Sequence, residues 1–524
     1  MKNKPRIYRF FELIPGILIW TTFILGVVLS FIRPIWVIYF MIVFSLYWLF
    51  RVVYFVIYIC ISWYRYRRDL TADWLAQVKD KPDWQRIYHL VFLPTYKEPL
   101  EVLRSTFQSL INSDYPLDKF IVVLAGEERD LENFKNNAEV IKKEFNDKFF
   151  KLLITYHPDN LPDEIKAKGA NAHWAGQRAQ ELIDRLGIPY QDIIVSYFDI
   201  DTVVHPKYFS CLTYKYLTDP EPLRSSYQPV VLYNNNIWDA PSMMRITAFG
   251  TTFWLMTELP KPDRIFTFSS HSMSFQALVD VNFWQKDIVT DDSRIFLQCF
   301  VRYDGDYKIV PLYVPVSMDT VNADGYWRSF VNLYKQQRRW AWGIEHFPYM
   351  IWNFFFKKNK ISLKKKVKCL WNFSEGMYSW ATAPILLFVF GKLPLWLAGP
   401  QAQATVIVQS APFVLQWVLS LAMIGIFVSA TFSLMLLPPR PRQHAPHKFL
   451  IMILQWILLP ISIVVFGAIP AIESQTRLML GKYLGFWVTE KSRKSADQPL
   501  VSQPVIITAG SSRPDNKEHL ISEI

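Results

Sequence analysis

At 524 residues the chain is long enough for two or three domain-sized units, which excludes a single small module. Its formal charge of +12 is concentrated in lysine and arginine clusters beside apolar runs, above all residues 357–368. Anionic headgroups account for such clusters at about 1 kcal/mol per residue, and with no base-reading module in the chain nucleic acid is excluded as a partner.

From the N-terminus, residues 13–32 and 35–64 are nearly unbroken apolar runs, and parts of 371–470 are as well. A helix of about 20 such residues crosses the ~30 Å hydrocarbon core, so these runs predict membrane spans. The basic start "MKNKPRIYR" lacks a small-residue cleavage pattern and a second run follows after "RP", which predicts an uncleaved hairpin anchor over 1–64. Lys2, Lys4, Arg6 and Arg9 precede the hairpin and "RYRR" (65–68) follows it, so the positive-inside rule places both flanks and the following domain in the cytoplasm. The four cysteines at 60, 211, 299 and 369 have neither metal-site spacing nor a disulfide framework, which suits a reducing compartment. Arg51, inside the second run, is open between a snorkelling or tilted-helix role and a role beside a polymer or lipid acceptor.

Residues 65–345 have ordinary globular composition. Runs at 87–93, 120–126, 151–156, 193–198 and 228–233 read as buried strands, with helices near 99–112, 130–145 and 169–186 between them. Alternating β and α elements with continuous apolar strands predict an α/β domain with a mostly parallel sheet covered on both faces. Ligands of such sheets bind beyond the carboxyl ends of the strands, which directs attention to the residues there.

"IIVSYF" ends in Asp199 and Asp201, two residues apart and so on one side of an extended chain. Such a pair is either a solvated turn or a seat for a hard divalent cation that neutralises a diphosphate. Asp291 and Asp292 precede an amphipathic helical run, where one can cap the helix and one can serve as a general base. "FSSHSMSF" (268–275) carries His271, which is either structural or in contact with an acceptor. In "KQQRRWAWG" (335–343), Gln336, Arg339 and Trp340 share one helical face. Three donors there suit an anion, and an interfacial belt of Arg and Trp is the alternative. The segment 346–370 reads as interfacial and basic, 371–470 as C-terminal transmembrane helices, 471–491 as amphipathic, and 492–524 as a disordered polar tail.

In this order, "PTYKE" (94–98), "FDID" (198–201), "TDD" (290–292) and "QQRRW" (336–340) resemble membrane-integrated family-2 glycosyltransferases, the group containing cellulose and hyaluronan synthases. The resemblance covers roughly 85–345 and the flanking spans. It implies an α/β GT-A (nucleotide-diphospho-sugar transferase) domain inserted between transmembrane α-helices. It also implies a Mg2+ or Mn2+ cofactor, with Asp201 on the metal and Asp199 on the nucleotide or the metal's waters. Thr95, Tyr96 and Glu98 would line the nucleotide pocket, and in "KAKGAN" Lys166 and Asn171 would contact the nucleotide-sugar, although a solvated helix start explains the lysines equally. Asp292 would be the base with Asp291 beside it, and Gln336, Arg339 and Trp340 would hold the diphosphate and acceptor. "FWVTEK" (486–491) is similar to a gating loop in which Phe486, Thr489 and Lys491 close over the site, or is an ordinary basic flank.

The chain departs from that pattern in three places. Glu127, Glu128 or Asp130 stands where a uridine-contacting Asp is usual; the expected donor is a UDP-sugar over a GDP-sugar. Where relatives carry a small-residue loop at which the acceptor enters, this chain has the loop "FSSHSMSF" with His271. Three spans after the domain would leave "FWVTEK" on the far side, so either 449–468 re-enters or 471–487 returns across. The expected function is inverting transfer to a growing polysaccharide, with coupled export open. Single-sugar transfer to a polyprenyl phosphate or other lipid is the alternative, and a non-catalytic membrane scaffold a further one. The expected location is a bacterial inner or plasma membrane.

Overall fold

The computed structural model describes residues 5–485. Two apolar helices, α1 (Arg6–Ile32) and α2 (Pro34–Thr71), come first. The sheet domain follows, with strands β1 (Tyr88–Pro94), β2 (Phe120–Glu127), β3 (Lys151–His157), β4 (Ile193–Tyr197), β5 (Val203–Val204), β6 (Ser225–Leu232), β7 (His271–Ser274) and β8 (Lys308–Ser317). Its principal helices are α3 (Leu100–Ile111), α4 (Leu131–Phe145), α5 (Lys168–Leu186), α6 (Tyr208–Thr218), α7 (Ser242–Glu258), α8 (Asp291–Arg302) and α9 (Tyr326–Ala341). Three long helical segments complete the described chain: α10 (Leu363–Leu397), α11 (Val406–Met435) and α12 (Lys448–Met479).

The sheet order is β3-β2-β1-β4-β7-β6-β8-β5. The half built from β1 to β4 is parallel, as continuous apolar strands joined by helical crossovers require. Every residue of β2 and β4 is buried, so both faces of this half are covered. The other half is mixed. β7 runs antiparallel to both β4 and β6, and β8 runs parallel to β6. "HSMS", expected as loop, is the central strand β7, because it pairs with both β4 and β6: Ser196 Oγ and Ser272 Oγ lie 2.8 Å apart across the β4–β7 pair.

By length and composition five described helices could cross a membrane. α10 leaves the sheet domain, where Lys365 donates to the Gly305 carbonyl at 2.9 Å. α11 returns to it, since Trp238 Nε1 donates to the Pro438 carbonyl just past its end at 3.1 Å. α12 touches the domain at both ends. Near its start Arg245 Nε donates to Gln455 Oε1 at 2.8 Å, and near its finish Arg338 Nη1 donates to Glu473 Oε1 at 2.7 Å. Between these points Phe466 packs on Phe330 with ring centroids 4.6 Å apart. The segment therefore starts and ends on the domain side, bent by a 3-10 stretch, Pro460, a π-helical stretch and Pro470. Both ends of α12 thus lie against the domain, the arrangement that re-entry by 449–468 calls for. A cysteine placed by Lys482→Cys is expected to label with a membrane-impermeant thiol reagent only after the membrane is opened to the domain side. Gln403→Cys, between α10 and α11, is expected to label from the other side; both reacting from one side would overturn this path.

The end of α12 is also fastened to the chain's beginning. Arg9 donates to the Leu478 carbonyl at 2.6 Å and to that of Met479, and Tyr483 Oη donates to Glu12 at 2.7 Å. Leu484 packs in a small cluster with Val289, Trp342 and Ile165. The described chain thus stops beside the Asp291–Asp292 segment; Phe486, Thr489 and Lys491 lie outside the described residues.

Candidate active site

The carboxyl ends of β1, β2 and β4 open on one edge of the sheet, and the loops leaving them carry the acidic residues. After β1, Thr95 Oγ1 and the Tyr96 amide both donate to Glu98 Oε2, at 2.7 and 2.5 Å. This closes a tight loop in which Lys97 adopts φ +69°, with its amide donating to Asp130 at 2.8 Å. Burial raises the Glu98 carboxyl to about 7, against the hydrogen bonds from Thr95 and Tyr96, with the nearby Asp201 adding to the rise.

After β4, Asp199 and Asp201 take different surroundings. Asp199 accepts from Lys168 Nζ at 2.5 Å and from Ser269 Oγ at 2.6 Å. Asp201 is buried and accepts from the Asp319 backbone amide at 3.0 Å. Both present carboxylate oxygens alone, a donor set that suits a hard cation such as Mg2+ or Mn2+. No group of three or more His, Cys, Asp or Glu side chains forms a metal cage among the described residues. The pair fits a cation whose remaining ligands come from a diphosphate and water.

Lys168 is the centre of the cluster, and the sequence reading gave it no role. It begins α5, and its ammonium bridges Asp199 and Asp292, 2.5 and 3.2 Å away, while sitting 3.9 Å from the centre of the Tyr197 ring. Burial alone would lower its pKa; the charges of Asp199, Asp292 and Asp291 outweigh that and hold it above the ordinary lysine value. The next residue must be glycine for this approach, since a Cβ on Gly169 would meet the Asp291 Cβ at 2.9 Å. Lys166, the expected contact, instead pairs with Asp159 at 2.8 Å and is about half exposed. The available signal was helical spacing: Lys168 and Asn171 are three apart and share a face, whereas Lys166 precedes the helix. Asn171 is buried and donates to the Ala125 carbonyl at 2.8 Å, tying α5 to the end of β2.

Asp291 and Asp292 occupy the first turn of α8 and divide the labour. Asp291 is buried and accepts from Tyr197 Oη at 2.5 Å; burial raises its carboxyl, with Lys168 opposing. Asp292 is half-buried, its side chain against Lys168 and its carbonyl accepting from Thr267 Oγ1 at 2.6 Å. Burial pushes the Asp292 carboxyl up to about 7, with Lys168 pulling it down and Asp291 and Asp199 pushing it up. An acid poised there can take a proton near neutral pH.

His271 differs from the expected acceptor contact. It has no exposed surface, its Nδ1 lies 3.0 Å from the Phe268 carbonyl, and its ring meets the Tyr197 ring edge-on at 5.8 Å. Burial lowers it to about 3, so it is neutral and backs the Tyr197 ring that holds Asp291.

The 335–343 stretch closes α9 and splits by face. Trp340 packs against Tyr233 and Phe268, with ring centroids 5.9 and 5.8 Å away, and lines a slot with Gln336 and Thr320. Tyr233 is buried among Asp199, Asp201, Asp292 and Arg339, whose charges act on its hydroxyl, and burial is the larger cause of that hydroxyl's raised pKa. Arg338 points the other way, into the Glu473 clamp that also holds Tyr334 and Arg477. One stretch therefore serves as site wall and as tie to α12.

At the ends of β2 and β3 lies a separate cleft of about 250 Å³, lined by Glu127, Arg129, His157 and Lys166 among others. Glu127 is buried and ion-paired to Arg129, whose guanidinium sits 4.4 Å from the centre of the Tyr96 ring. Burial raises the Glu127 carboxyl, with Arg129 opposing. Glu128 accepts from the Asp159 amide at 2.8 Å.

The sequence profile of "Glycosyl transferase family group 2" matches residues 194–469, more than half of the chain, from β4 into α12. No curated protein matches the sequence. Among solved structures, the mannosyltransferase PcManGT from Pyrobaculum calidifontis, in complex with GDP-Man and Mn2+, is similar at 15% identity and TM-score 0.44, covering 84% of this chain and 100% of that one. S. aureus TarS 1–349 in complex with UDP-GlcNAc is similar at 11% identity and TM-score 0.36, covering 66% and 91%. Overlap of that degree carries no functional argument.

Proposed function

This chain belongs to glycosyl transferase family group 2, and from that premise we propose that it transfers a sugar from a nucleotide-diphosphate donor, with inversion, to an acceptor hydroxyl at the membrane-facing side of its GT-A domain. The observation that carries the reading is the meeting of Asp199 and Asp292 on one lysine, Lys168. A diphosphate leaving group needs cationic neutralisation and the attacking hydroxyl needs a base. Lys168 with Arg339 supplies the first and Asp292 the second.

In this mechanism the acceptor oxygen attacks the anomeric carbon as Asp292 takes its proton. The bond from that carbon to the diphosphate oxygen breaks on the opposite face, so an α-linked donor gives a β-linked product. Asp199 and Asp201 would hold a Mg2+ or Mn2+ ion, which when bound supplies electrostatic stabilisation to the departing diphosphate. Trp340 gives a flat apolar face on which an acceptor ring can stack, with the amide of Gln336 beside it for its hydroxyls. The buried Tyr197 hydroxyl holds Asp291, which keeps the turn of α8 in place under Asp292.

The donor is proposed as a UDP-sugar. Glu127 ends β2 at the mouth of the 127–166 cleft, where a carboxylate can accept from the imide N–H of uracil while Arg129 covers the carbonyl edge. The domain is proposed to face the cytoplasm, on the basic residues flanking α1 and α2.

The experiment is a panel of UDP- and GDP-sugars, scored for released nucleoside diphosphate by full-length protein in detergent with Mn2+, Mg2+ or EDTA. One donor is expected to be turned over in a metal-dependent way and to be spared by Asp201→Asn. Release of equal rate from the variant would overturn the assignment of Asp201.

A further inference from the structure

Consecutive polar residues, Thr290 to Arg294, form the turn that opens α8, and they divide between two sets of partners. Asp291 meets Tyr197 and Asp292 meets Lys168, on the side of the reacting groups. Thr290, Ser293 and Arg294 all meet two adjacent residues just past the 335–343 stretch, Glu345 and His346. Thr290 Oγ1 donates to Glu345 Oε1 at 2.5 Å, and the Trp342 indole N–H donates to Glu345 Oε2 at 3.0 Å. His346 Nε2 lies 2.7 Å from Ser293 Oγ, while Arg294 Nε donates to His346 Nδ1 at 3.1 Å.

These contacts fix the state of the histidine. An arginine only donates, so His346 Nδ1 is the bare nitrogen and the ring proton sits on Nε2, facing Ser293. Burial and the Arg294 guanidinium both hold the imidazole neutral, its pKa well below the ordinary histidine value. Thr290 is committed in the same way. It stands at the N-cap of α8, where a threonine hydroxyl ordinarily accepts from an amide of the first turn. Among the described residues it caps no amide of its own helix and is turned outward to Glu345 instead.

Glu345 and His346 also stand on the rod that carries Trp340. α9 passes at Ala341 straight into a 3-10 turn, Trp342–Glu345, so the acceptor wall and the tether are one continuous helical piece. Apolar side chains cover the joint: Val289, Trp342, Ile344 and Leu478 pack together there, with Leu484 against them. A charge-assisted hydrogen bond in such surroundings is strong and directional. The turn bearing Asp292 is therefore fastened to the end of the wall on which an acceptor ring can stack.

We propose that Glu345 and His346 are positioning residues, which hold the turn bearing Asp292 at a fixed offset from the Trp340 face so that the base meets a bound acceptor hydroxyl in preference to water. This rests on the transferase reading above and deepens it: the choice of acceptor over water is set at a joint between α8 and α9. A sugar hydroxyl is fixed to a large ring and reacts only where the base is aligned with it, whereas water can reorient to follow a displaced base.

The test uses membranes containing the full chain and UDP-sugars labelled in the sugar. Label retained on lipid or polymer counts transfer, and free labelled sugar counts hydrolysis. In Glu345→Ala the transfer rate is expected to fall about ten- to a hundredfold, the scale on which small misplacements act. Its hydrolysis rate and its KM for the donor are expected to stay within about threefold of wild type. A general loss of structure would lower both rates together. Thr290→Val removes the other half of the same hydrogen bond and is expected to raise the ratio of hydrolysis to transfer as Glu345→Ala does, while Thr290→Ser keeps the wild-type ratio. His346→Leu is expected to raise the ratio, and His346→Gln, able to accept from Arg294 and donate to Ser293, to keep it. The double variant Glu345→Ala with Thr290→Val is expected to be no worse than Glu345→Ala alone. An unchanged ratio in Glu345→Ala, or in Thr290→Val should the first variant not fold, would overturn the proposal, as would additive losses in the double variant. The same pairing read in melting temperature needs no donor. Coupling there, with no donor turned over by wild type, would strike the transferase reading and leave the joint standing; independent effects of the two substitutions would overturn the joint whatever wild type turns over.

Discussion

Asp292→Asn is expected to lower the transfer rate by about 10² to 10⁴, the span that a positioned general base contributes. The amide keeps the size of the side chain and cannot accept the acceptor proton. The same substitution separates catalysis from architecture through pH. The wild-type rate is expected to rise with pH through about 7, where the Asp292 carboxyl ionises, and the residual rate of the variant to lose that limb. Stability moves the opposite way. A carboxyl raised in the folded state contributes stability below its unfolded pKa, and that contribution is lost as pH rises through the folded value. Asp292→Asn is therefore expected to melt at or above wild type at pH 8 and level with it at pH 5. A variant with an unchanged rate limb would remove Asp292 from the role of base.

Lys168→Met is expected to have the largest combined effect. It deletes the cation that Asp199 and Asp292 share and leaves them, with Asp291, facing one another. Removing one partner of a buried ion cluster costs about 3 kcal/mol or more, and loss of a preorganised charge at the reacting centre lowers the rate by about 10² or more. The lysine is held above its ordinary pKa, so its contribution is whole at neutral pH and is lost only as pH rises through the folded value. The deficit in melting temperature is accordingly expected to be large at pH 8 and to shrink toward pH 5, as Asp291 and Asp292, both raised by burial, take up protons. Lys166→Met serves as the contrast, with little change in stability, because its ion pair with Asp159 is on the surface. If the two variants behave alike, Lys168 does not organise the cluster.

Much of this protein could be read from sequence because the signals are local. Apolar runs marked α1, α2 and α10–α12, and the alternation of apolar strands with amphipathic stretches placed the parallel half of the sheet to within a few residues. Asp199, Asp201, Asp291 and Asp292 were legible because each lies at a strand or helix end, where a few neighbours define the position. What stayed hidden depends on residues far apart in the chain. β7 was read as loop since "HSMS" carries no run of β-branched or aromatic residues, and only its pairing with β4 and β6 makes it central. His271 drew attention as a titratable group in a polar loop, and burial on that strand turned it into a support. The choice of Lys168 over Lys166 needed the approach of α5 to α8, more than a hundred residues later. Arg338 and Trp340 are two apart in sequence and meet different partners, Glu473 of α12 and the rings of Tyr233 and Phe268. Hydropathy alone makes α12 a span. Its two ends are both tied to the domain because Gln455 and Glu473 meet arginines there, and such ion and hydrogen-bond partners, unlike apolar period, leave no trace in the local sequence.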